Sequence, residues 1–483
     1  MSGRNPKIIT AKLGMGRACG IVGLLLGMGT VSAGLLSPIW TRISSTSPYQ
    51  GCRSAGANGL FANAEVEPSL AADPRRHALI AVFQQDRFST GAARGLVASY
   101  SRDGGKHWSE TGLPFSACAS GQTTGWPRAS DPWVSIGPDS RAYVIGVGHG
   151  IAVTTSSDGG HVWSSPLVFA SNTAAYLMDK CTITADHSRA GFAYAVWQRF
   201  LTRRSGPPIE SDTMLSITRD GGRHWSPPAV VLRHTKDAGD VTSVILPDAR
   251  RHRLFHLAYW QTGGFPGPGA AHLSLLLVQT SRDSGRTWSK AGRIARIETV
   301  GGKLRDPASG KVIRPGAPSF ALEPISGRLY AAWQDARFSA DDVDQIALTS
   351  SRDGGRTWAK PQRVDSGRDT LGIVPVVAAA AGTVAVSYYA VSGGRRGRNS
   401  RLWLVTSERG ASSFKRRMVG RAFALGDAPL LAGDPSLLVP PGLFLGDYSG
   451  LAIAAGRAYL AFATANSDKS NPTDIRFASV KLD

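Results

Sequence analysis

One stretch decides the fold of this chain: Ser101-Arg102-Asp103-Gly104-Gly105-Lys106-His107-Trp108. Its Asp can accept hydrogen bonds from backbone N–H groups two or three residues on, and Gly adopts positive φ without steric cost. The terminal Trp gives the turn a large apolar anchor. The stretch therefore predicts a tight hairpin whose Asp and Trp are structural. It recurs five times, with the Asp at Asp103, Asp158, Asp220, Asp283 and Asp353.

A sixth, degraded copy runs from Ser407 to Phe414, with Arg409 where the Asp should stand. The intervals between copies vary although the motif hardly changes, which is typical of one supersecondary unit with loops of different length. Short β-rich segments punctuated by Gly, Pro, Asp and Ser lie between the copies. Beyond residue 40 no segment has a sustained helical period. The sequence predicts an all-β protein.

A four-stranded antiparallel sheet can be placed around each motif, with the hairpin between strands 3 and 4. Seven such sheets predict a single β-propeller over residues 65–483, with six blades as the alternative. The last sheet lacks a fourth strand, and we expect a strand near Gly59–Asn63, in the 34–64 extension, to complete it. The first strands begin near Glu67-Pro68, Asp131-Pro132, Asp179-Lys180, Asp240-Val241, Ala317-Pro318, Val374-Pro375 and Asp447-Tyr448.

With these repeats the chain resembles the sialidase-like superfamily of secreted propellers, which carry such Asp boxes, or BNR repeats. The resemblance covers roughly residues 60 to 483. It implies exo-α-sialidase-type glycoside hydrolysis, with three arginines on the substrate carboxylate, a Tyr nucleophile, its Glu partner and an Asp acid/base.

The resemblance also points to individual residues. Tyr448 lies in a Tyr-Ser segment like the one that carries the nucleophile, Glu210 is its candidate partner, and Asp86 is the candidate acid/base. Guanidinium groups suit bidentate capture of a carboxylate. The candidate ligand-binding residues are Arg87, Arg314, Arg337, Asp335 and Asp447.

Two departures leave catalysis open. The Phe-Arg-Ile-Pro signature of sialidases is absent, and the loop after Arg87 has no Asp where the acid/base should be. A non-catalytic propeller that binds glycan, envelope polymer or protein is the alternative. For the two loops with neighbouring Asp and Arg, which contain Arg87 and Arg337, the structural alternative is an ion pair that pins the loop to its sheet.

Antiparallel strand order puts the motif hairpins on one face and the 2–3 loops and sheet-to-sheet connections on the other, where a funnel would receive ligand. Arg203, Arg204, Arg395 and Arg396 fall on that second face, which predicts a basic funnel. A net charge of +20 favours an acidic glycan or envelope polysaccharide as partner. Because the charge is scattered over an exported chain, no nucleic acid is expected.

Metal and cofactor sites are not indicated by residue spacing. The cluster Asp341, Asp342 and Asp344 offers oxygen ligands for Ca²⁺, but a solvated acidic loop is the favoured interpretation. We therefore expect no cofactor.

Residues 1–33 have the pattern of a signal peptide. Basic Lys7, Lys12 and Arg17 precede a nearly continuous apolar run, and Val31-Ser32-Ala33 offers a cleavage site. An uncleaved anchor is the alternative, since the run approaches the ~20 residues that span a bilayer. Either way we expect a secreted, periplasmic or cell-envelope protein. After cleavage we expect no membrane span, and a monomer.

The cysteines fit export. Cys19 lies in the leader, and the other three allow one disulfide and one spare thiol. Cys52–Cys118 is the favoured pair because both lie in Ser/Gly-rich loops. Cys181 opens an apolar strand and is expected to be a buried thiol.

Overall fold

The computed structural model describes residues 39–54, 56–73, 75–201, 211–233, 238–262, 273–300, 304–339, 343–365, 370–393, 399–408, 413–433 and 441–482. Within these ranges the regular structure is β-strand, apart from single 3-10 turns at Ala249–Arg251 and Leu425–Asp427. The predicted all-β class is confirmed. None of the described segments forms a helix with the length and apolarity to span a bilayer.

The strands of the described residues can be grouped into seven successive antiparallel units of four. Five of these units are separate sheets, whereas units three and four are joined into one eight-stranded sheet by a parallel pairing of Ser211 with Gly239. The chain begins with β1 (Ile39–Arg42). Units one and two are β2 (Glu65–Ala72), β3 (Leu79–Arg87), β4 (Ala93–Ser101), β5 (Ser109–Leu113), and β6 (Ser130–Ile136), β7 (Ala142–Val147), β8 (Gly150–Ser156), β9 (Leu167–Ser171). Units three and four are β10 (Tyr176–Ala185), β11 (Ala193–Leu201), β12 (Ser211–Thr218), β13 (Ala229–Leu232), and β14 (Ala238–Asp248), β15 (Arg253–Thr262), β16 (Ser274–Ser281), β17 (Gly292–Arg296).

The second half repeats the pattern. Units five and six are β18 (Ser319–Leu322), β19 (Leu329–Asp335), β20 (Gln345–Ser351), β21 (Gln362–Arg363), and β22 (Leu371–Ala380), β23 (Thr383–Val391), β24 (Ser400–Glu408), β25 (Lys415–Phe423). A two-stranded pair follows, β26 (Leu430–Leu431) and β27 (Gly442–Leu443). Unit seven is β28 (Gly450–Ala454), β29 (Arg457–Ala465), β30 (Thr473–Lys481) and the N-terminal β1.

The first strands of the units form a closed ring. Each contacts the first strand of the next unit, in the order β2, β6, β10, β14, β18, β22 and β28, and β28 contacts β2 again. The sheets bury large aromatic side chains between them, chiefly from the second strands, and burial of each such side chain stabilises the fold by about 2–3 kcal/mol. These side chains include Phe83, Tyr143, Trp197, Phe255, Trp333, Tyr388 and Phe462.

The strand that completes unit seven is Ile39–Arg42 rather than the expected Gly59–Asn63. β1 pairs antiparallel with β30, from Ile39 opposite Ser479 to Arg42 opposite Arg476. The expected segment instead turns, with positive φ at Gly59 (73°) and Asn63 (51°), and positive φ is incompatible with a regular strand. The two ends of the described chain thus share one sheet.

Between β1 and β2 the chain forms what we call the N-terminal clasp (43–54 and 56–64). Tyr49 is buried on unit one, where a Cβ at Gly95 would come 2.4 Å from its ring. The predicted disulfide Cys52–Cys118 is confirmed and ties the clasp to the connection after β5. Cys181 is a buried free thiol, as expected.

The five motif hairpins connect the third strand to the fourth in units one to five. The Asp carboxylate accepts from backbone N–H groups three and four residues on, rather than two or three; Asp103 Oδ1 lies 3.0 Å from both Lys106 N and His107 N. The second Gly of each motif has φ between 84° and 98° and packs on the preceding unit. In unit one the Trp108 ring also contacts Phe477 of unit seven, with ring centres 4.9 Å apart and planes tilted by 58°.

Candidate functional site

The first strands carry a repeated backbone irregularity on the face opposite the hairpins. In units one, two, three and six the pairing of first and second strand shifts register within the first residues of the strand. One residue at each shift has left-handed backbone, with φ of 51–55° at Glu67, Asp131, Lys180 and Val374. Such bulges re-aim a side chain, at a cost of about 1–3 kcal/mol for a non-Gly residue.

These bulges, with the start of unit seven, assemble what we call the axial cluster: Glu67, Asp131, Asp179, Lys180 and Asp447. Lys180 Nζ lies 2.5 Å from Asp447 Oδ2 and 3.8 Å from Asp131 Oδ2. Glu67 Oε1 accepts the backbone N–H of Asp447 at 3.2 Å, and Asp179 Oδ1 accepts that of Lys180 at 2.9 Å. Four units of the ring therefore contribute to one hydrogen-bonded group.

Exposure divides the cluster into two layers. Glu67 is 2% exposed and Asp131 5% exposed, so both lie beneath the surface. Asp179, Lys180 and Asp447 are only half-buried. These last three are the members that a ligand can reach.

The acids of the cluster differ in the direction of their pKa shifts. Burial raises the pKa of Glu67 to about 8, and the neighbouring carboxylates of Asp131 and Asp447 add to the shift. Burial, with Asp131, raises the pKa of Asp179 to about 6. Burial would also raise the pKa of Asp447, but Lys180, Arg314 and Arg87 outweigh it and the net shift is downward.

Arg87 and Arg314, two of the three predicted clamp arginines, lie beside the cluster, where both act on the Asp447 carboxylate. The Arg87 guanidinium donates to Gln84 Oε1 and lies 4.9 Å from the centre of the Phe444 ring. Arg314 is half-buried. Among the described residues, the cluster is thus mixed in charge rather than basic. The arginines expected at 203, 204, 395 and 396 lie outside the described residues.

Tyr448, the predicted nucleophile, borders the cluster. Its hydroxyl donates to the Pro132 carbonyl at 2.9 Å, and its ring meets Trp133 edge-on at 5.0 Å. Burial raises its pKa well above the ordinary value, with Glu67 and Asp131 adding to the effect. The phenol is therefore held protonated. Its predicted partner Glu210 lies outside the described residues.

Arg337 and Asp335 are placed elsewhere, in unit five. Asp335 is fully buried and accepts from Arg337 Nε at 2.7 Å and from the Trp333 indole N–H. Arg337 also approaches Glu298 at 4.0 Å. The pair pins its loop, which agrees with the structural alternative. The structure does not bring Arg337 together with Arg87 and Arg314, so it does not form the expected three-arginine clamp.

Asp86, the candidate acid/base, lies near the end of β3 against the clasp, at 1% exposure. Its carboxylate accepts from Ser47 Oγ at 2.7 Å, Asn63 N at 2.8 Å and Arg94 Nη1 at 3.0 Å. These bonds occupy both oxygens, so its contacts give no support to a catalytic role. The ion pair joins Asp86 to Arg94, not to the adjacent Arg87.

Asp344 belongs to the acidic cluster considered above as a calcium site, and its carboxylate is likewise engaged in hydrogen bonds. It is fully buried, and it accepts from Val300 N at 2.9 Å and Thr299 Oγ1 at 2.7 Å. It thereby fixes the connection before unit five. Asp341 and Asp342 lie outside the described residues. No group of three metal-ligating side chains occurs in the part of the chain that the structure describes.

Three glutamines near the ends of second strands join units one, three and five to the units that follow them. Gln84 Nε2 donates to Ser130 Oγ at 3.1 Å, and Gln198 Nε2 to Ser243 Oγ at 2.9 Å. Gln334 Oε1 accepts from Val374 N at 3.2 Å. These amides hold neighbouring units together.

The axial roles of Glu67, Asp131, Asp179 and Lys180 were missed from the sequence. A signal was present, because an acidic residue stands before or just at the start of several first strands, twice followed by Pro. These dipeptides served only to mark strand starts. The sequence did not reveal the bulge that begins within the first five residues of each strand and brings these side chains together.

No family model and no curated protein matches the sequence. Among solved structures the chain is similar to sialidases. The NanB sialidase from Streptococcus pneumoniae is 11% identical, over 88% of this chain and 94% of that one, with a TM-score of 0.44. The GH93 α-L-arabinofuranosidase of Fusarium graminearum is 10% identical, over 89% and 98%, with a TM-score of 0.46. The polysaccharide lyase Uly1 is 10% identical, over 92% and 98%, with a TM-score of 0.49.

Proposed function

We propose that this chain is an exported, seven-bladed sialidase-like propeller over residues 65–483 that hydrolyses a glycosidic bond of an acidic carbohydrate at the axial cluster. The observation that carries the proposal is the pair Asp179 and Asp447. Both are half-buried in one cluster, and the pKa of Asp179 is raised while that of Asp447 is lowered. Glycoside hydrolysis uses two carboxyl groups, one protonated and one ionised.

Asp179 is the general acid in this proposal. With a pKa of about 6 it holds a proton in mildly acidic solution and can give it to the leaving oxygen. Asp447 stays ionised beside Lys180 and acts as the base or nucleophile. Arg314, half-buried next to Asp447, is suited to a carboxylate on the substrate.

This assignment replaces Tyr448 as the reacting group. The Tyr448 hydroxyl donates to a backbone carbonyl and is held protonated, so it would have to break that bond to attack. The tyrosine mechanism stays a prediction that the same experiment tests.

Export is proposed on the leader pattern of residues 1–33, with the Cys52–Cys118 bond in support. Residues 34–64 are then the mature N-terminal extension, whose β1 closes unit seven.

The test is turnover of a panel of fluorogenic glycosides that includes sialoside, glucuronide, arabinofuranoside and neutral hexosides. We expect Asp179→Asn and Asp447→Asn each to lower kcat/KM by about 10²–10⁴-fold on the substrate that is turned over. Tyr448→Phe should retain most activity. Because the acid must be protonated, kcat/KM should fall as pH rises through about 6.

Loss of activity in Tyr448→Phe with activity kept in Asp179→Asn would overturn our assignment in favour of the tyrosine mechanism. A second candidate is a non-catalytic glycan-binding propeller, favoured by the ion pair that already engages Asp447. Binding of an acidic oligosaccharide that weakens with salt, without turnover of any glycoside, would support it.

A further inference from the structure

The motif hairpins fill a defined space between neighbouring units. A Cβ at Gly160 of unit two would come 3.1 Å from Tyr100 and 3.2 Å from Ile80, which lie at the end of the third strand and the start of the second strand of unit one. Gly285 of unit four would meet Ile217 and Leu215, which both lie on the third strand of unit three. These hairpins thus cover the third strand of the unit before them, and the hairpin of unit two also covers the start of the second strand of unit one.

Unit seven has no such hairpin. Its third strand is β30, near the end of the chain, and its fourth is β1, at the start of the described chain. No turn therefore joins the two strands, and among the described residues no hairpin covers unit six at the position that the motif hairpins take on other units.

A groove occupies that space. It is lined by the start of the second strand and the end of the third strand of unit six, with β25 and the end of β30 beside them. The lining includes Thr383, Thr406, Ser407, Lys415, Arg417 and Lys481. These are the strand ends that motif hairpins cover on other units.

The chemistry of the groove is cationic and hydroxylic. Among its described lining residues, Lys415, Arg417 and Lys481 carry positive charge and Glu408 is the one carboxylate. Four hydroxyl side chains complete the polar lining. Lysine and arginine with hydroxyl donors suit the oxygens of sulfate or carboxylate groups.

We infer that the groove left open between units six and seven binds an anionic polysaccharide chain. The inference goes beyond the proposed hydrolysis, because the groove lies on the hairpin face and the axial cluster on the opposite one. An anionic occupant fits both the local charges and the net charge of +20.

The experiment measures binding of a heparin-derived hexasaccharide to the mature chain by calorimetry. We expect the double variant Lys415→Ser/Lys481→Ser to weaken binding at least tenfold and to reduce its salt dependence. The matched control is Lys106→Ser/Arg286→Ser, which removes the same charge from exposed positions in two intact hairpins, and should change affinity less than twofold.

Two further variants keep the inference falsifiable. Ser413→Trp fills the groove without changing charge and should also weaken binding, whereas Asp447→Asn at the axial cluster should leave it unchanged. Equal losses in the two double variants would mean diffuse charge attraction and would overturn the inference. So would hexasaccharide binding that survives Ser413→Trp, or binding only to vesicles of anionic lipid.

Discussion

Aspartates on the two faces of the ring differ in protonation for opposite reasons. On the hairpin face Asp220 is exposed and Asp283 and Asp353 are half-buried, and bonds from backbone and side-chain donors lower the pKa of each to about 2. At the axial cluster, burial raises the pKa of Asp179 to about 6. Hydrogen bonds to the charged form thus govern one face, and desolvation governs the other.

This difference in environment determines which carboxyl groups can exchange a proton near neutral pH. A hairpin Asp is ionised throughout the physiological pH range, and its carboxylate accepts hydrogen bonds from donors of its own turn. At the axial cluster Lys180, Arg314 and Arg87 keep Asp447 ionised, while burial raises the pKa of Glu67 and Asp179, so the axial acids do not all ionise together. The same residue type is therefore structural on the hairpin face, while on the opposite face it occurs in the cluster where we propose the reaction.

The largest expected effect comes from removing the shared cation. Lys180→Met leaves Asp447 and Asp131 without their ion-pair partner and should lower the free energy of unfolding by about 3–5 kcal/mol. Urea denaturation at pH 7 measures it. The control is Lys469→Met. The Lys469 side chain is 75% exposed and lies 3.5 Å from Asp427, so its replacement should lower the free energy of unfolding by less than about 1 kcal/mol. A similar loss of unfolding free energy in the two variants would contradict the expected difference between the axial ion pair and the exposed one.

On the hairpin face the sensitive residue should be Gly rather than Asp. Gly105→Ala puts a Cβ 2.3 Å from the Phe477 ring at φ +91°, and should cost about 2–4 kcal/mol. Its neighbour Gly104 has φ +75° but nothing within 4 Å, so Gly104→Ala should cost about 1 kcal/mol. The same denaturation assay separates them. A cost for Gly104→Ala as large as that for Gly105→Ala would mean that strain, not packing, dominates.

A third prediction concerns pH. The pKa of Glu67 is raised to about 8, so its contribution to stability is fully present below its unfolded value near 4.3 and is lost as pH rises through about 8. Glu67→Gln should therefore flatten the fall in stability between pH 5 and pH 8, and raise the unfolding free energy at pH 8 by roughly 1–2 kcal/mol relative to the parent. Thermal unfolding at the two pH values tests this. An unchanged pH dependence would show that Glu67 is ionised in the fold.

The smallest effect is expected at a hairpin carboxylate. The lowered pKa of Asp353 stabilises the fold above about pH 3.9, and this is lost as pH falls through about 2. Asp353→Asn keeps an acceptor oxygen for Thr357 and should cost about 0.5 kcal/mol at pH 6, and nothing near pH 1.5. Acid titration of both proteins by circular dichroism measures it. A cost that persists at pH 1.5 would assign the effect to geometry instead of charge.

The local sequence was sufficient to predict those features that depend on residues close together along the chain. The hairpins could be read from Asp, Gly and Trp at fixed offsets, because a turn is decided within eight residues. The all-β class and the Cys52–Cys118 bond followed from composition and loop context. Tyr448 and Asp447 were found because they stand at a strand start.

Only the tertiary structure decided what depends on residues far apart. Pairing of Ile39 with Ser479 joins the two ends of the described chain, and no local pattern distinguishes that strand from other short apolar segments. Lys180 meets Asp447 across 267 positions of sequence. Whether a carboxylate is solvated or desolvated is set by every unit around it, so the sequence could name these acids without telling which would bind protons near neutral pH.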